Sequence, residues 1–201
     1  MNNNIDVNSG INRTLAFIKM QGDGYFFNIS DLKIEGVSYT SKRSIVTRLC
    51  ETGIIKRVCR GIYYYSQNDT EIPSLEIVLD KIAMTNEFKY CPSGLYAEYL
   101  IGIKKNRPHN CICYTNGKIK RVNLKNGISV SFLPSKRVFY SFNSKEIMIV
   151  TNYLLNFKEK GISYENALII KRYLEKVPID DFKKDYYLIP QIIRKFFPIS
   201  W

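Results

Sequence analysis

Three basic side chains, Lys56, Arg57 and Arg60, lie within the run GIIKRVCRGIYYYS (residues 53–66), which holds no acid. Its β-branched and aromatic residues read as a β-hairpin. Exposed hairpins ordinarily mix charges. A purely cationic one suits a polyanion, because the guanidinium fork pairs bidentately with phosphate and fits a narrow minor groove. Just upstream, SYTSKRSIVTRLCETG reads as a helix capped by Ser38 and closed by Gly53. At about 100° per residue, Ile45, Val46 and Leu49 face inward. Thr40, Ser44, Thr47, Arg48 and Glu51 then face outward, with Arg43 on the flank. Hydroxyls and guanidiniums suit base edges and phosphates. The helix start near Ser41 and Lys42 offers N–H groups to a phosphate, although Lys42 lies inward by angle. The expected DNA contacts are therefore Thr40, Ser41, Lys42, Arg43, Ser44, Thr47, Arg48, Arg57 and Arg60.

Other chemistries find less support. His109, Cys111 and Cys113 alternate along a strand. Side chains two apart on a strand are roughly 6.6 Å apart along a line and do not converge on one ion, so buried cysteines are expected there. His109 is the single histidine, and there is no Gly-x-Ser-x-Gly and no glycine-rich phosphate loop. Glu87-Phe88-Lys89 with Asp80 echoes the acidic core of metal-dependent nucleases, but the spacing is short and falls at a helix end. No catalytic residue, metal site or cofactor is expected, and no enzyme activity. Tyr63, Tyr64 and Tyr65 could stack on bases. Alternate aromatics on such a hairpin more often pack inward, which is the reading for Tyr63 and Tyr65.

The charge distribution widens the case. The chain of 201 residues carries a net charge of +12. Residues 103–143 alone hold nine Lys and Arg and no carboxylate. These are Lys104, Lys105, Arg107, Lys118, Lys120, Arg121, Lys125, Lys136 and Arg137, a basic surface that suits DNA, RNA or an acidic protein. No stretch approaches the ~20 apolar residues of a membrane span. The opening MNNNIDVNSG reads as a disordered leader over residues 1–10, not as a secretory signal. Five scattered cysteines suit reduced thiols in a cytoplasm.

The elements that must carry these groups read in order. A helix covers residues 11–21, and a short aromatic strand follows the GDG break. A brief second helix is capped by Ser30 and ended by Gly36. The basic helix and the hairpin follow. This is the order of a winged helix-turn-helix, assigned to residues 11–68. The polar QNDTEIP segment (67–73) reads as the domain boundary. The second domain, 74–201, begins with helices SLEIVLDKIAMTN, capped by Ser74, and PSGLYAEYLIGI, ended by Gly102. Three strands follow, NCICYT, KIKRVNL and ISVSFLP, joined by Asn116-Gly117 and Asn126-Gly127 as a small antiparallel basic sheet. Helices limited by Pro178, Pro190 and Pro198 complete the chain. The fold class is α+β: a winged helix-turn-helix, then an α+β domain with a basic sheet and a helical C-terminus.

The runs SIVTRLCETGIIKRVCRGIYYYS, IPSLEIVLDKIA, CPSGLYAEYLIGI and CYTNGKIKRV together resemble the AbiEi-like antitoxins and transcriptional regulators of type IV toxin–antitoxin systems, over roughly residues 11–176. The resemblance implies an abortive-infection, phage-defence system and a winged helix that binds the double-stranded DNA of its own promoter. It implies a C-terminal antitoxin module that counteracts a nucleotidyltransferase-like toxin, or acts on its RNA target, without a stable complex. It carries over to Arg57, Arg60 and Gly61 in the wing and to Gly94, Ala97 and Gly102 as packing positions. Tyr96 departs from it, standing where a small residue is common. The alternative is a protein- or RNA-interaction module whose winged helix does not bind DNA specifically.

Overall fold

The computed structural model describes residues 3–67, 73–124, 127–135, 138–157 and 161–197, which form a mixed α+β architecture. The chain divides into two compact units, residues 1–85 and 86–201.

In the first unit, α1 (Asn3–Met20) leads to β1 (Tyr25–Phe27), a 3-10 turn (Ile29–Asp31) and α2 (Tyr39–Glu51). Strands β2 (Lys56–Cys59) and β3 (Ile62–Tyr65) and helix α3 (Leu75–Thr85) follow. The strands form an antiparallel sheet in the order β1–β3–β2. Ile18 of α1, Phe27 of β1 and Val46 and Leu49 of α2 close over Tyr63 and Tyr65 in one core. Three expectations change here. Helix α1 begins at Asn3, so helix occupies most of the expected leader. Gly10 lies inside it, where an added Cβ would sit 3.3 Å from Ile45 Cδ1, so a small residue lets α1 and α2 cross closely. The expected second helix is only the 3-10 turn, capped by Asn28 instead of Ser30. The extended Asn28 accepts the N–H groups of Ser30 and Asp31, and Asp31 returns the bond by accepting the Asn28 N–H at 2.9 Å. Finally, α3 belongs with the first unit, so the division falls after Thr85 and not at 67–73. Lys81 of α3 pairs with Asp31 at 3.6 Å. Residues 68–72 of the expected boundary lie outside the described residues.

The second unit contains β4 (Tyr90–Ser93), α4 (Gly94–Ile101), β5 (Asn110–Thr115), β6 (Lys120–Asn123) and β7 (Ser129–Pro134). Helices α5 (Lys145–Leu155), α6 (Tyr164–Leu174), α7 (Ile179–Tyr186) and α8 (Gln191–Arg194) complete it. The three expected strands are present, but they are not an antiparallel meander. The order is β4–β5–β7–β6, and β5 runs parallel to β7 with Cys111 opposite Val130. The chain leaves β5, passes across the end of β7, forms β6 at the edge and returns as β7 between them. Only β6 and β7 form a hairpin, with Gly127 at φ 80° in its turn. Asn126 lies outside the described residues. Gly117 serves space instead: a Cβ there would lie 2.8 Å from Phe88 Cβ. The unanticipated strand β4 contains Pro92, which an edge strand tolerates.

Helices α5 to α8 pack together around Ile147, Leu154, Ile170, Ile189 and Ile193. Buried Asp185 of α7 accepts the Asn143 and Ser144 N–H groups at 2.8 and 2.7 Å, fastening α7 to the start of α5. Pro178 and Pro190 stand at the starts of α7 and α8, as their missing N–H groups allow, while Pro198 lies outside the described residues.

Candidate nucleic-acid interface

Helix α2 is fixed at both ends by the residues expected to do so. Ser38 Oγ accepts the Ser41 N–H at 3.2 Å, and Gly53 follows Thr52 at φ 76°. Ile45, Val46 and Leu49 are buried, which fixes the rotation of the helix. Thr40, Ser41, Arg43, Ser44, Thr47 and Arg48 are consequently exposed, while Lys42 is half-buried, in line with its inward angle. One expectation fails. The N–H groups of Ser41 and Lys42 are not open to a phosphate, because the Ser38 hydroxyl takes the first and the Ser38 carbonyl takes the second at 2.9 Å. Thr47 also uses its hydroxyl proton locally, donating to the Arg43 carbonyl at 3.0 Å. Its methyl group and oxygen lone pairs remain the parts it can offer outward.

The hairpin divides its cations between two faces. Arg57 pairs across the sheet with Tyr63, and Tyr63 with Phe27. The Phe27 and Tyr63 rings stack at 5.7 Å inside the core that also holds α2. Arg57 therefore leaves the sheet on the α2 side. Lys56 pairs with Tyr64, and Tyr64 with Phe26, and these two rings lie on the opposite face with centroids 4.7 Å apart. Arg60 is exposed at the tip, followed by Gly61 at φ 83°. Burial raises the Tyr63 phenol above its ordinary pKa, and the nearby Arg57 and Arg43 oppose that rise. A single ring thus lies in the field of a cation from the helix and a cation from the hairpin.

Tyr39, at the start of the same helix, was not among the residues expected to contact DNA. Tyr39 is 62% exposed at the first position of α2. With Arg43 and Thr47 it forms an i, i+4, i+8 line along the helix, and that spacing was a legible signal. Tyr63 and Tyr65 are buried, as the inward-packing reading expects, and Tyr64 is half-buried.

Among the described residues, the basic side chains of 103–143 are spread over two loops and both faces of β6. Lys104, Lys105 and Arg107 are exposed in the loop after α4. Gly102 closes that helix at φ 96°, as expected. Lys118 is exposed before β6. Lys120 turns to the buried face of the sheet and bonds Asn86 Oδ1. Arg121 points from the opposite, open face. Lys125, Lys136 and Arg137 lie outside the described residues.

Cys111 and Cys113 are buried on one face of β5, with His109 exposed just before the strand. Burial pushes the Cys91 thiol up to about 12 and the Cys113 thiol well above its usual value. Both stay protonated near neutrality, whereas metal ligation and nucleophilic attack need the thiolate. Glu87 occupies a left-handed turn at φ 53°, and Lys89 Nζ donates to the Tyr140 carbonyl at 3.0 Å. Among the described residues no three His, Cys, Asp or Glu side chains gather as a metal site. No helix among them is long and apolar enough to cross a membrane.

A mixed α+β chain with exposed cations on α2 and on the following hairpin is the class these features define. Residues 13–176 match the family model described as a family of unknown function, DUF6088, and the chain belongs to that family. No curated protein matches the chain.

Proposed function

We propose that this protein is a non-enzymatic, sequence-specific DNA-binding regulator whose first unit works as a winged helix. Helix α2 enters the major groove, and the β2–β3 hairpin is the wing. Tyr39, Arg43, Ser44 and Thr47 face base edges, while Arg48, Arg57 and Arg60 hold phosphates or a narrow minor groove. The observation that carries this reading is the core shared by α2 and the hairpin strand β3, which sets the helix bearing exposed Arg43 against the sheet face from which exposed Arg57 leaves. Element order supports it too: helix, strand, turn, helix, hairpin. The resemblance to AbiEi-like antitoxins supplies the setting. The DNA is the promoter of the protein's own operon, the compartment is the cytoplasm, and the regulator doubles as an antitoxin against a nucleotidyltransferase-like toxin.

Fluorescence anisotropy of the full chain tests this reading, using the DNA upstream of its gene, a shuffled duplex and a salt series. Specific binding that outlasts the shuffled control at physiological salt is expected. Equal, steeply salt-sensitive binding to both duplexes would rule out promoter reading and favour the protein- or RNA-interaction module.

A further inference from the structure

Helices cover the β4 side of one sheet face, where Cys91 and Tyr114 join their cluster, and leave the β7–β6 side of that face open. Strand register places Ile112, Ser131 and Arg121 in one row across β5, β7 and β6. The next row is Asn110, Ser129 and Asn123. Asn110, Arg121 and Asn123 are exposed, Ile112 is 42% exposed, and both serines are half-exposed. Ser129 Oγ donates to Asn110 Oδ1 at 2.8 Å, so the Asn110 amide is oriented by its neighbour in the row. Cys111, Cys113, Val122, Val130 and Phe132, on the other face, are buried. Burial of that face holds the strands, so the open face is a fixed platform.

We infer that this open face binds single-stranded RNA. Three observations on the page favour that occupant. The segment that builds the face contains no carboxylate, so a phosphate backbone meets no repulsion. Arg121 stands within the face, and the loop entering β5 carries Lys104, Lys105 and Arg107. Finally, two amides and two hydroxyls in adjacent rows offer donors and acceptors together. A base edge and a 2′-hydroxyl need both, whereas an acidic peptide needs donors alone. An open sheet face also suits splayed bases better than a duplex, which calls for an element that enters a groove. The inference concerns a surface separate from α2 and its hairpin and does not depend on the regulator reading.

The test measures anisotropy of a labelled 12-nucleotide mixed-sequence RNA with the full chain, beside single-stranded DNA of the same sequence. Poly-glutamate serves as competitor. Arg121→Ala with Asn123→Ala should weaken RNA binding at least tenfold and lower the log–log salt slope by about 0.7. Both side chains are exposed, so thermal melting should be unchanged. Ser131→Glu, which places a carboxylate on the platform, should weaken RNA binding again. RNA should bind several-fold tighter than DNA. No RNA binding, equal binding by the double variant, equal DNA binding, or displacement by poly-glutamate would each overturn the inference. So would loss of RNA binding in Arg57→Ala with Arg60→Ala, since the RNA would then sit on the hairpin. Loss of promoter binding with RNA binding intact would instead overturn only the regulator reading.

Discussion

Helix α2 with its hairpin carries fewer cations than the segment 103–143, yet its cations stand on elements that share one core. In the first unit Leu49, Val46 and Phe27 share a core with Tyr63, so one packing arrangement orients both the helix and the strand that bear Arg43 and Arg57. In the second, Lys120 bonds Asn86, Arg121 points the other way, and Lys118 and Arg107 lie in separate loops. Charge along a sequence attracts polyanions in general. Fixing several charges at once requires a core beneath them, and the two regions differ in that respect.

The comparison breaks most completely if the core beneath α2 is removed. Leu49→Ala should cost about 2–5 kcal/mol of stability, read by urea unfolding, and abolish specific duplex binding with it. At the next level, Arg43→Ala or Thr47→Ala should narrow the preference for promoter over shuffled DNA by about 1–3 kcal/mol with little change in unfolding, measured by competition anisotropy. Removing Arg57 and Arg60 together should lower the salt slope for duplex DNA by about 1.8, at roughly 0.9 per phosphate contact. Lys118→Ala should leave that slope where it is, and an equal drop would erase the distinction between the two regions. Smallest, Ser38→Ala should cost about 1 kcal/mol in thermal unfolding, because the Ser41 N–H loses its acceptor.

Much of the first unit was legible because its signals are local. Ser38, Gly53 and the inward stripe of Ile45, Val46 and Leu49 each act within a turn of the backbone they govern. Gly102 ends its helix by the same short-range rule. The misses are non-local or too short to carry a period. Parallel pairing of β5 with β7 leaves no mark on either strand. Asn116-Gly117 resembles a hairpin turn, yet its glycine answers to Phe88, far away in sequence. Strand β4 is four residues with a proline among them. The cap at Asn28 was missed in favour of Ser30 because both residue types cap, and only the fold decides which carbonyl and N–H groups they reach. Tyr39 was missed for a different reason: hydrophobic spacing drew attention to what α2 buries instead of what it displays.

The return of β7 between β5 and β6 bears on how the chain is made. A ribosome delivers β5 first, with the side that β7 will occupy still unpaired. Its neighbour arrives only after β6 has been synthesised, and the β6–β7 hairpin must then dock as a preformed pair. Until that moment the nascent chain exposes a strand edge able to pair with another nascent chain. A stop or pause between residues 116 and 128 would therefore yield a product prone to aggregation, whereas a pause after Thr85 would release a first unit whose sheet is already complete.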